Sequence, residues 1–255
     1  NLWIGIYQKG VAFIPSQANM FNYIGNFSSI RNYIGSNCIT ALCETTDKGK
    51  LIVGTDNDGI YLLDKNYNFI QHLTQDKNPD VPPTVMCLFE DSNKKVWIGS
   101  YLSGISVFDS QTNKLSKTSL RNNEGNEITK VYRFVEDPHK RLWIGTMGTG
   151  LYYVDLPASS ASYSDLKVHQ ALSEKEINQW INTLLYIPNG RLYIGTYDGI
   201  KCIDTEKLKV VGKEKVLIGL SINTIAQGPD DHIWAGTPEG IYVMDYNLKC
   251  LVCHK

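Results

Sequence analysis

Leu142-Trp143-Ile144-Gly145-Thr146, followed within a few residues by Gly150-Leu151-Tyr152-Tyr153-Val154-Asp155, decides the fold, because both runs recur along the chain. The first run returns as Leu2-Trp3-Ile4-Gly5, Leu51-Ile52-Val53-Gly54, Val96-Trp97-Ile98-Gly99, Leu192-Tyr193-Ile194-Gly195 and Ile233-Trp234-Ala235-Gly236. The second returns at residues 59–64, 104–109, 199–204 and 240–245, each time beginning with Gly and ending with Asp. Such a repeat predicts an array of similar structural units.

The spacing of the repeat glycines sets the size of each unit. They fall at 5, 54, 99, 145, 195 and 236, a mean step of about 46 residues, which is the length of one four-stranded propeller blade. The two runs, separated by turn residues, predict a β-hairpin. Another β-rich run begins fourteen residues before the glycine, at Val85, Val131, Ile181 and Ile222, and a weaker polar run follows the closing Asp. We therefore expect an all-β propeller with four antiparallel strands in each blade.

The repeats divide the chain at approximately 1–38, 39–83, 84–127, 128–176, 177–219 and 220–255, in one continuous array. Residue 1 enters directly into the second strand of a blade, so we expect the N-terminal blade to lack its first strand and to have an exposed edge. Five blades are then complete, and we expect the chain to be a fragment of a larger propeller array.

The charge balance argues against a general affinity for polyanions. The chain has 25 Lys and Arg against 26 Asp and Glu, a net charge of −1, so nucleic-acid binding is not expected. No apolar run reaches the roughly 18 residues that cross a bilayer, and no cationic start precedes an apolar core. We expect no membrane contact by this segment.

The six cysteines give no clear indication of compartment. Cys43, Cys87, Cys202 and Cys250 lie in apolar strand runs, where a cysteine is expected to be a small buried hydrophobe. Cys250-x-x-Cys253 has the spacing of half a metal or redox motif, but residues three apart on a strand point to opposite faces, and no second pair supplies further ligands. We therefore expect no metal and no cofactor.

Three features of the repeat have structural explanations. The aromatic residue before the repeat glycine, replaced by Ile52 in the second copy, is expected to wedge between adjacent blades. The repeat glycine removes a side chain at a close approach, and the second glycine permits a positive φ. The closing Asp is expected to accept backbone N–H bonds in a turn rather than to form a ring of catalytic or metal-binding acids.

Catalytic motifs are absent from the sequence. It contains no Gly-x-Ser-x-Gly, no phosphate-binding glycine loop and no His-Glu-x-x-His, and its five histidines are scattered. Because no nucleophile, base and orienting residue can be assembled, we expect that the chain is not an enzyme.

The repeat resembles the two-component regulator propeller repeat. That repeat has Leu-Trp-Ile-Gly-Thr, a variable turn, Gly-Leu or Gly-Ile, three residues and Asp, with an upstream strand that ends in Glu-Asp. The best matches are residues 85–109, with Glu90-Asp91 before the turn, and residues 131–155, with Glu136-Asp137. Individual copies depart from it at Ile6, at residues 51–53 and at Ala235, but the array covers almost the whole chain.

The resemblance implies the extracytoplasmic sensor region of a hybrid two-component system, with propellers in the periplasm of gut bacteria that sense polysaccharide breakdown products. It also implies a neighbouring propeller and an immunoglobulin-like domain in the same receptor, a membrane span, a histidine kinase, and a homodimer that passes the signal inward. The kinase, the span and the immunoglobulin-like domain are not in these 255 residues. The enzymatic activity of the parent is therefore not expected in this chain.

The loops at one face of a propeller gather contacts from several blades, and function is expected there. Two residues after the repeat glycine stand Tyr7, Tyr101, Met147 and Tyr197, and the tyrosines could stack on sugar faces. The polar residues in these loops, expected to bond hydroxyl groups, are Gln8, Asn57, Asp58, Asp198 and Glu239. The residues at the starts of the first strands are Tyr132, Arg133, Asn182 and Asn223. Arg133 could bind a carboxylate or sulfate, or form a salt bridge.

Three functions remain open. The first is a non-catalytic sensor that binds an oligosaccharide or a second propeller. The second is a protein-interaction scaffold, in which the tyrosines only shield the blade ends and the same face contacts a partner domain. The third is a propeller enzyme, such as a lyase or a quinone-dependent dehydrogenase, which would need a metal or a cofactor.

Overall fold

The computed structural model describes residues 2–6, 10–14, 22–25, 33–35, 38–46, 49–158, 162–173, 175–212, 216–228 and 231–254. The chain divides into two compact units, residues 1–119 with 158–165 and residues 120–157 with 166–255. Among the described residues, no helix is long and apolar enough to span a membrane.

The described part of unit 1 contains three antiparallel sheets, whose strands neighbour one another in chain order. The first sheet consists of β1 (Leu2–Ile6), β2 (Gly10–Ile14) and β3 (Asn22–Ile24). The second consists of β4 (Ile39–Glu44), β5 (Leu51–Thr55), β6 (Ile60–Leu63) and β7 (Phe69–Leu73). The third consists of β8 (Val85–Glu90), β9 (Lys95–Ser100), β10 (Ile105–Asp109) and β11 (Lys114–Thr118).

The described part of unit 2 contains three four-stranded sheets with the same order. The first consists of β12 (Val131–Glu136), β13 (Arg141–Thr146), β14 (Leu151–Asp155) and β15 (Val168–Gln170). The second consists of β16 (Ile181–Ile187), β17 (Arg191–Thr196), β18 (Gly199–Asp204) and β19 (Lys209–Val210). The third consists of β20 (Thr224–Gln227), β21 (Ile233–Thr237), β22 (Gly240–Met244) and β23 (Cys250–His254).

The expected all-β architecture of four-stranded antiparallel blades is confirmed. Three first strands begin where the repeat spacing places them, at Val85, Val131 and Ile181. The fourth, β20, begins at Thr224, two residues after the expected Ile222.

The repeat aromatic residue packs between its own sheet and the next one. Trp143 is fully buried and shares a core cluster with Leu184 and Ile194 of the following sheet. Tyr193, also fully buried, does the same with Ile225. The wedge expected from the repeat is confirmed for Trp143 and Tyr193, and such burial of a large ring is a main source of stability.

The two repeat glycines have the expected roles. A Cβ at Gly145 would lie 2.8 Å from Cγ2 of Ile181 in the next sheet, and a Cβ at Gly54 would lie 2.5 Å from Cγ1 of Val85. The second glycine has a positive φ in all five copies that lie within the described residues, namely Gly59, Gly104, Gly150, Gly199 and Gly240.

The closing aspartates act as turn acceptors. One carboxylate oxygen accepts two backbone N–H groups from the next few residues in Asp64, Asp109, Asp204 and Asp245. This confirms the expectation for these four residues and explains why the strand run ends in Asp.

A second aspartate, at the turn between the first and second strands, bonds a buried tryptophan as well as its own turn, and the sequence did not predict that contact. Asp137 is 2% exposed, and its Oδ1 accepts the N–H groups of His139 and Arg141. Its Oδ2 accepts the indole Nε1–H of Trp143 at 2.9 Å and two guanidinium N–H groups of Arg141 at 2.8 Å. The Asp of the Glu-Asp motif thus provides the hydrogen-bond acceptor for the indole N–H of the buried tryptophan.

Unit 1 has the same pairing between Asp91 and Trp97, with an Nε1 to Oδ2 distance of 2.8 Å. Tyr163 also donates its hydroxyl to Asp91 and packs against the Trp97 ring at 5.6 Å. In the last sheet Gly228 stands where this aspartate is expected, and Trp234 is 36% exposed. The fully wedged position expected for Trp234 is therefore wrong.

The cysteines correct two further expectations. Cys87 and Cys202 are buried as expected, Cys43 is half-buried, and Cys250 is exposed on β23, so the expected burial of Cys250 is wrong. The register between β22 and β23 shifts by one residue, which pairs Cys250 with Met244 and Cys253 with Tyr242. Because Met244 and Tyr242 are two residues apart on one strand, the two cysteines lie on the same face, contrary to the expectation from regular strand geometry.

Candidate functional site

In each four-stranded sheet, the turn between the second and third strands is closed by the hydroxyl residue that follows the repeat glycine. In every described copy its hydroxyl donates to the carbonyl of the second glycine, at 2.7–3.0 Å. The residues are Thr55, Ser100, Thr146, Thr196 and Thr237. This bond holds the candidate loops in one conformation and explains the Gly-Thr and Gly-Ser steps of the repeat.

The same turn is tied to the start of the first strand. The residue two after the repeat glycine donates its N–H to the carbonyl that precedes the first strand, in the pairs Asp56 to Cys38, Tyr101 to Thr84, Met147 to Lys130 and Tyr197 to Trp180. The two groups of candidate residues therefore lie side by side at one end of each of these sheets, as the sequence argument requires.

Tyr132 and Asn182 occupy register shifts near the start of their strands, between Val131 and Arg133 and between Ile181 and Thr183. A bulge of this kind re-aims a side chain. The Asn182 amide donates to the carbonyl of Ile222 at 3.1 Å and so connects two neighbouring sheets. Its role is therefore at least partly structural.

The remaining candidates differ in how accessible they are. Arg133, Asn223 and Glu239 are exposed. Asp198 is half-buried, and its Oδ1 accepts the N–H of Gly219 at 2.7 Å, so one of its oxygens already has a partner.

In unit 1 the candidate loop carries a compact polar cluster. The Tyr61 hydroxyl donates to Asp58 Oδ2 at 2.7 Å, and the His72 ring stacks on Tyr61 with centroids 3.9 Å apart. Burial, followed by the hydrogen bond to Asp58, raises the pKa of Tyr61. Asn57 is exposed beside this cluster, and Tyr101 is 39% exposed. Tyr7 and Gln8 lie outside the described residues.

The most exposed aromatic pair at this end of unit 2 is Trp180 with Tyr197, which we call the aromatic shelf. Trp180 is 49% exposed and Tyr197 is 64% exposed, and their ring centroids are 6.3 Å apart at an interplanar angle of 59°. Met147 forms an isolated β-bridge with Trp180 and so lies next to the shelf. The structure thus brings together two of the candidates, Met147 and Tyr197, around a tryptophan that the sequence reasoning did not select.

The segment that leads into Trp180 is held in place by its own contacts. Leu172 and Ile177 are 3% and 2% exposed and belong to the core of unit 2. Between them, Ser173 donates its hydroxyl and its backbone N–H to Glu176, which lowers the pKa of that carboxyl. The Gln179 carbonyl accepts the N–H groups of Gly148 and Gly150. The shelf is therefore pre-organised, which reduces the entropy lost when a ligand binds.

One feature of the sequence could have identified Trp180 as a candidate. The chain has five tryptophans, and four of them occupy the repeat position, whereas Trp180 immediately precedes a first strand. A large aromatic residue outside the structural position of a repeat is a candidate for function, because the core does not require it there.

The described residues contain no group of three or more His, Cys, Asp or Glu side chains placed to hold a metal ion. The chemistry available at this end of the sheets consists of aromatic faces, amides, carboxylates and hydroxyls. Such a mixture suits recognition of an uncharged, hydroxyl-rich or partly apolar ligand.

Comparisons with known proteins agree with this architecture. Residues 81–102 match the family model described as Two component regulator propeller. No curated protein matches the sequence significantly. The chain is similar to the extracellular domain of the putative hybrid two component system BT4673 from B. thetaiotaomicron, with 20% identity, a TM-score of 0.73, and coverage of 99% of this chain and 32% of that one.

Two further solved structures share the fold. PorZ of Porphyromonas gingivalis, a surface component of the type-IX secretion system, has 17% identity and a TM-score of 0.67, and covers 86% of this chain and 34% of its own. The WD40 β-propeller domain of Doa1 has 14% identity and a TM-score of 0.65, over 99% of this chain and 78% of its own. The chain thus spans about a third of the length of PorZ and of the BT4673 domain. The shared fold confirms the β-propeller expected from the repeats, and the match at residues 81–102 confirms the resemblance to the two component regulator propeller repeat there.

Proposed function

We propose that the chain is the non-catalytic sensor part of a hybrid two-component receptor, located in the periplasm, and that it binds an oligosaccharide. The match of residues 81–102 to the two component regulator propeller model supports this proposal, as does the fold shared with the extracellular domain of BT4673. In the parent receptor, binding changes how this propeller packs against a neighbouring propeller and an immunoglobulin-like domain, and a homodimer carries the signal inward.

The observation that carries the proposal is the aromatic shelf. Trp180, which follows a segment anchored in the core, and Tyr197, in the turn between β17 and β18, remain 49% and 64% exposed and present apolar faces to solvent without being needed for packing. The C–H face of a sugar ring fits such a surface, and the Tyr197 hydroxyl can bond a sugar hydroxyl. Asp198 follows Tyr197 directly, and carboxylate oxygens accept hydrogen bonds from hydroxyl groups.

The test is titration calorimetry of the purified chain with glycans first identified on an array. Trp180→Ala and Tyr197→Ala should each weaken binding by about tenfold, corresponding to about 1.4 kcal/mol. Tyr101→Ala, in unit 1, tests whether the candidate tyrosine of that unit also contributes. Phe69→Ala is the matched control, because Phe69 is 39% exposed but lies on the outer strand β7. Unaltered affinity in both shelf variants would exclude this site.

A second candidate function is a protein-interaction scaffold. Ile218 is 69% exposed, and the hydrogen bond from Gly219 to Asp198 places its loop beside the turn that carries Tyr197. Exposed apolar side chains that cluster in this way are typical of protein contacts. A silent glycan array, combined with self-association in sedimentation that Ile218→Asp abolishes, would favour this second function.

A further inference from the structure

Cys250 and Cys253 are brought close together by the bulge in the outer strand β23. Val252 pairs with Val243, but Cys250 pairs with Met244, so Leu251 is the extra residue of the bulge. Three steps along β23 are therefore matched to only two steps along β22. Both cysteines face the same side of the sheet, since their partners Tyr242 and Met244 do.

This register shortens the distance between the two cysteines. Two steps along an antiparallel strand span about 6.8 Å, whereas three steps of a regular strand span about 10 Å. Disulfides form across Cα separations of about 4.4–6.8 Å. The bulge thus shortens the expected Cα separation of the two cysteines from a distance that a disulfide cannot span to the upper limit of the distances that it can.

A contact with Tyr242 agrees with this placement of the Cys253 thiol. A hydrogen bond shared with Cys253 raises the pKa of Tyr242, and Cys250 lies close enough to act electrostatically on the same hydroxyl. The Cys253 thiol therefore lies on the Tyr242 side of the sheet, and the register places Cys250 on the same side. Both cysteines are also exposed, on the strand at the end of the sheet order.

We propose that Cys250 and Cys253 form a reversible dithiol–disulfide pair that is oxidised by low-molecular-weight disulfides. One thiolate attacks a sulfur of the external disulfide, forming a mixed disulfide and releasing one small thiol. The second thiolate attacks the protein-bound sulfur of that mixed disulfide and releases the second small thiol. Two electrons pass from the protein thiols to the external disulfide, and the two cysteine protons end on the released thiols.

Cys43, Cys87 and Cys202 are poor competitors for this reaction. Desolvation by burial raises the pKa of Cys202 to about 11 and that of Cys43 to about 12, so neither is an effective thiolate near neutral pH. Cys87 is 6% exposed and is shielded from the reagent.

The test is oxidation of the folded protein with oxidised glutathione, followed by alkylation and mass spectrometry of the tryptic peptide that contains residues 250–255. We expect this peptide to lose two hydrogens without carrying glutathione or the alkylating group. Cys250→Ser should instead leave a stable glutathione adduct on Cys253, because the resolving thiol is gone.

The matched control is the double variant Val252→Cys/Cys253→Ser, which keeps two exposed thiols on β23. Residues 250 and 252 oppose Met244 and Val243, adjacent residues on β22, and so point to opposite faces. The control should form the internal disulfide at least roughly tenfold more slowly than the natural pair, since the effective concentration is lost. Stable glutathione adducts on both natural cysteines, or equal rates in the two proteins, would overturn the proposal.

Discussion

Replacing Asp137 with alanine should destabilise the protein far more than the same change at Asp245. Both carboxylates accept two backbone N–H groups of a turn, from residues two and four positions later. Each variant therefore loses two turn bonds, together worth about 1–2 kcal/mol. Asp245→Ala is the matched control, because within the described residues its carboxylate makes these two turn bonds and no contact with a buried side chain.

Asp137 has two further partners. Without its carboxylate, the indole N–H of the fully buried Trp143 is unsatisfied, at a cost of about 1–3 kcal/mol. The Arg141 guanidinium, with a side chain 13% exposed, also loses its counter-charge, and breaking such a buried pair costs about 3–5 kcal/mol. These terms overlap, so we expect a total loss of about 4–5 kcal/mol for Asp137→Ala against about 1–2 kcal/mol for Asp245→Ala.

The assay is urea unfolding followed by circular dichroism and tryptophan fluorescence, with midpoints compared at constant slope. A cycle with Trp143→Phe isolates the carboxylate–indole bond, for which we expect a coupling of about 1 kcal/mol or more. If the two alanine variants unfold within about 0.5 kcal/mol of one another, the buried aspartate acts only as a turn residue and the reasoning is wrong.

Two further predictions concern packing and pH. Gly145→Ala should cost about 1–3 kcal/mol in urea unfolding, because its Cβ would lie 2.8 Å from Cγ2 of Ile181. Gly5→Ala, at the same repeat position but with no atom of the described residues within 4 Å of the added Cβ, should change stability by less than about 0.5 kcal/mol. Equal losses would contradict the close-approach explanation. Burial raises the pKa of Asp109, but hydrogen bonds from Lys95 and the turn outweigh it and lower the pKa from 3.8 to about 2. Since the folded pKa lies below the unfolded one, this stabilisation is present above pH about 4 and is lost as the pH falls towards 2. Asp109→Asn should therefore flatten the acid side of the stability–pH curve, and an acid side that stays as steep as in the natural protein would count against this assignment.

The strand pattern was predictable because it depends on residues that are close in sequence. The turn between β13 and β14 needs a glycine at Gly150 and a hydroxyl at Thr146, and both requirements are local. The packing of Trp143 was predictable for a related reason, since an aromatic residue recurs at the same position in five of the six repeats, where the neighbouring units repeat as well.

The candidate site was less predictable. Reasoning by equivalent positions selected Tyr197 and Met147 but passed over Trp180, which has no counterpart in the other repeats. Trp180 is exposed because Leu172 and Ile177 anchor the preceding segment in the core. These two residues pack against side chains from other strands, and the local sequence does not reveal those contacts. Asn182 was selected for a ligand site because its amide can bond hydroxyl groups. In the structure this amide already donates to the Ile222 carbonyl of the next sheet.

The sequence by itself determined the repeat, the four-stranded blades, the buried aromatic position and the turn role of the closing aspartates, because period, strand propensity and turn chemistry act over a few residues. Only the tertiary structure decided that Asp137 holds the Trp143 indole, that Trp180 and Tyr197 form an exposed shelf, and that Cys250 and Cys253 share a face. Each of these depends on burial or on the register between strands, quantities that are set by partners elsewhere in the fold and that a one-residue bulge can reverse.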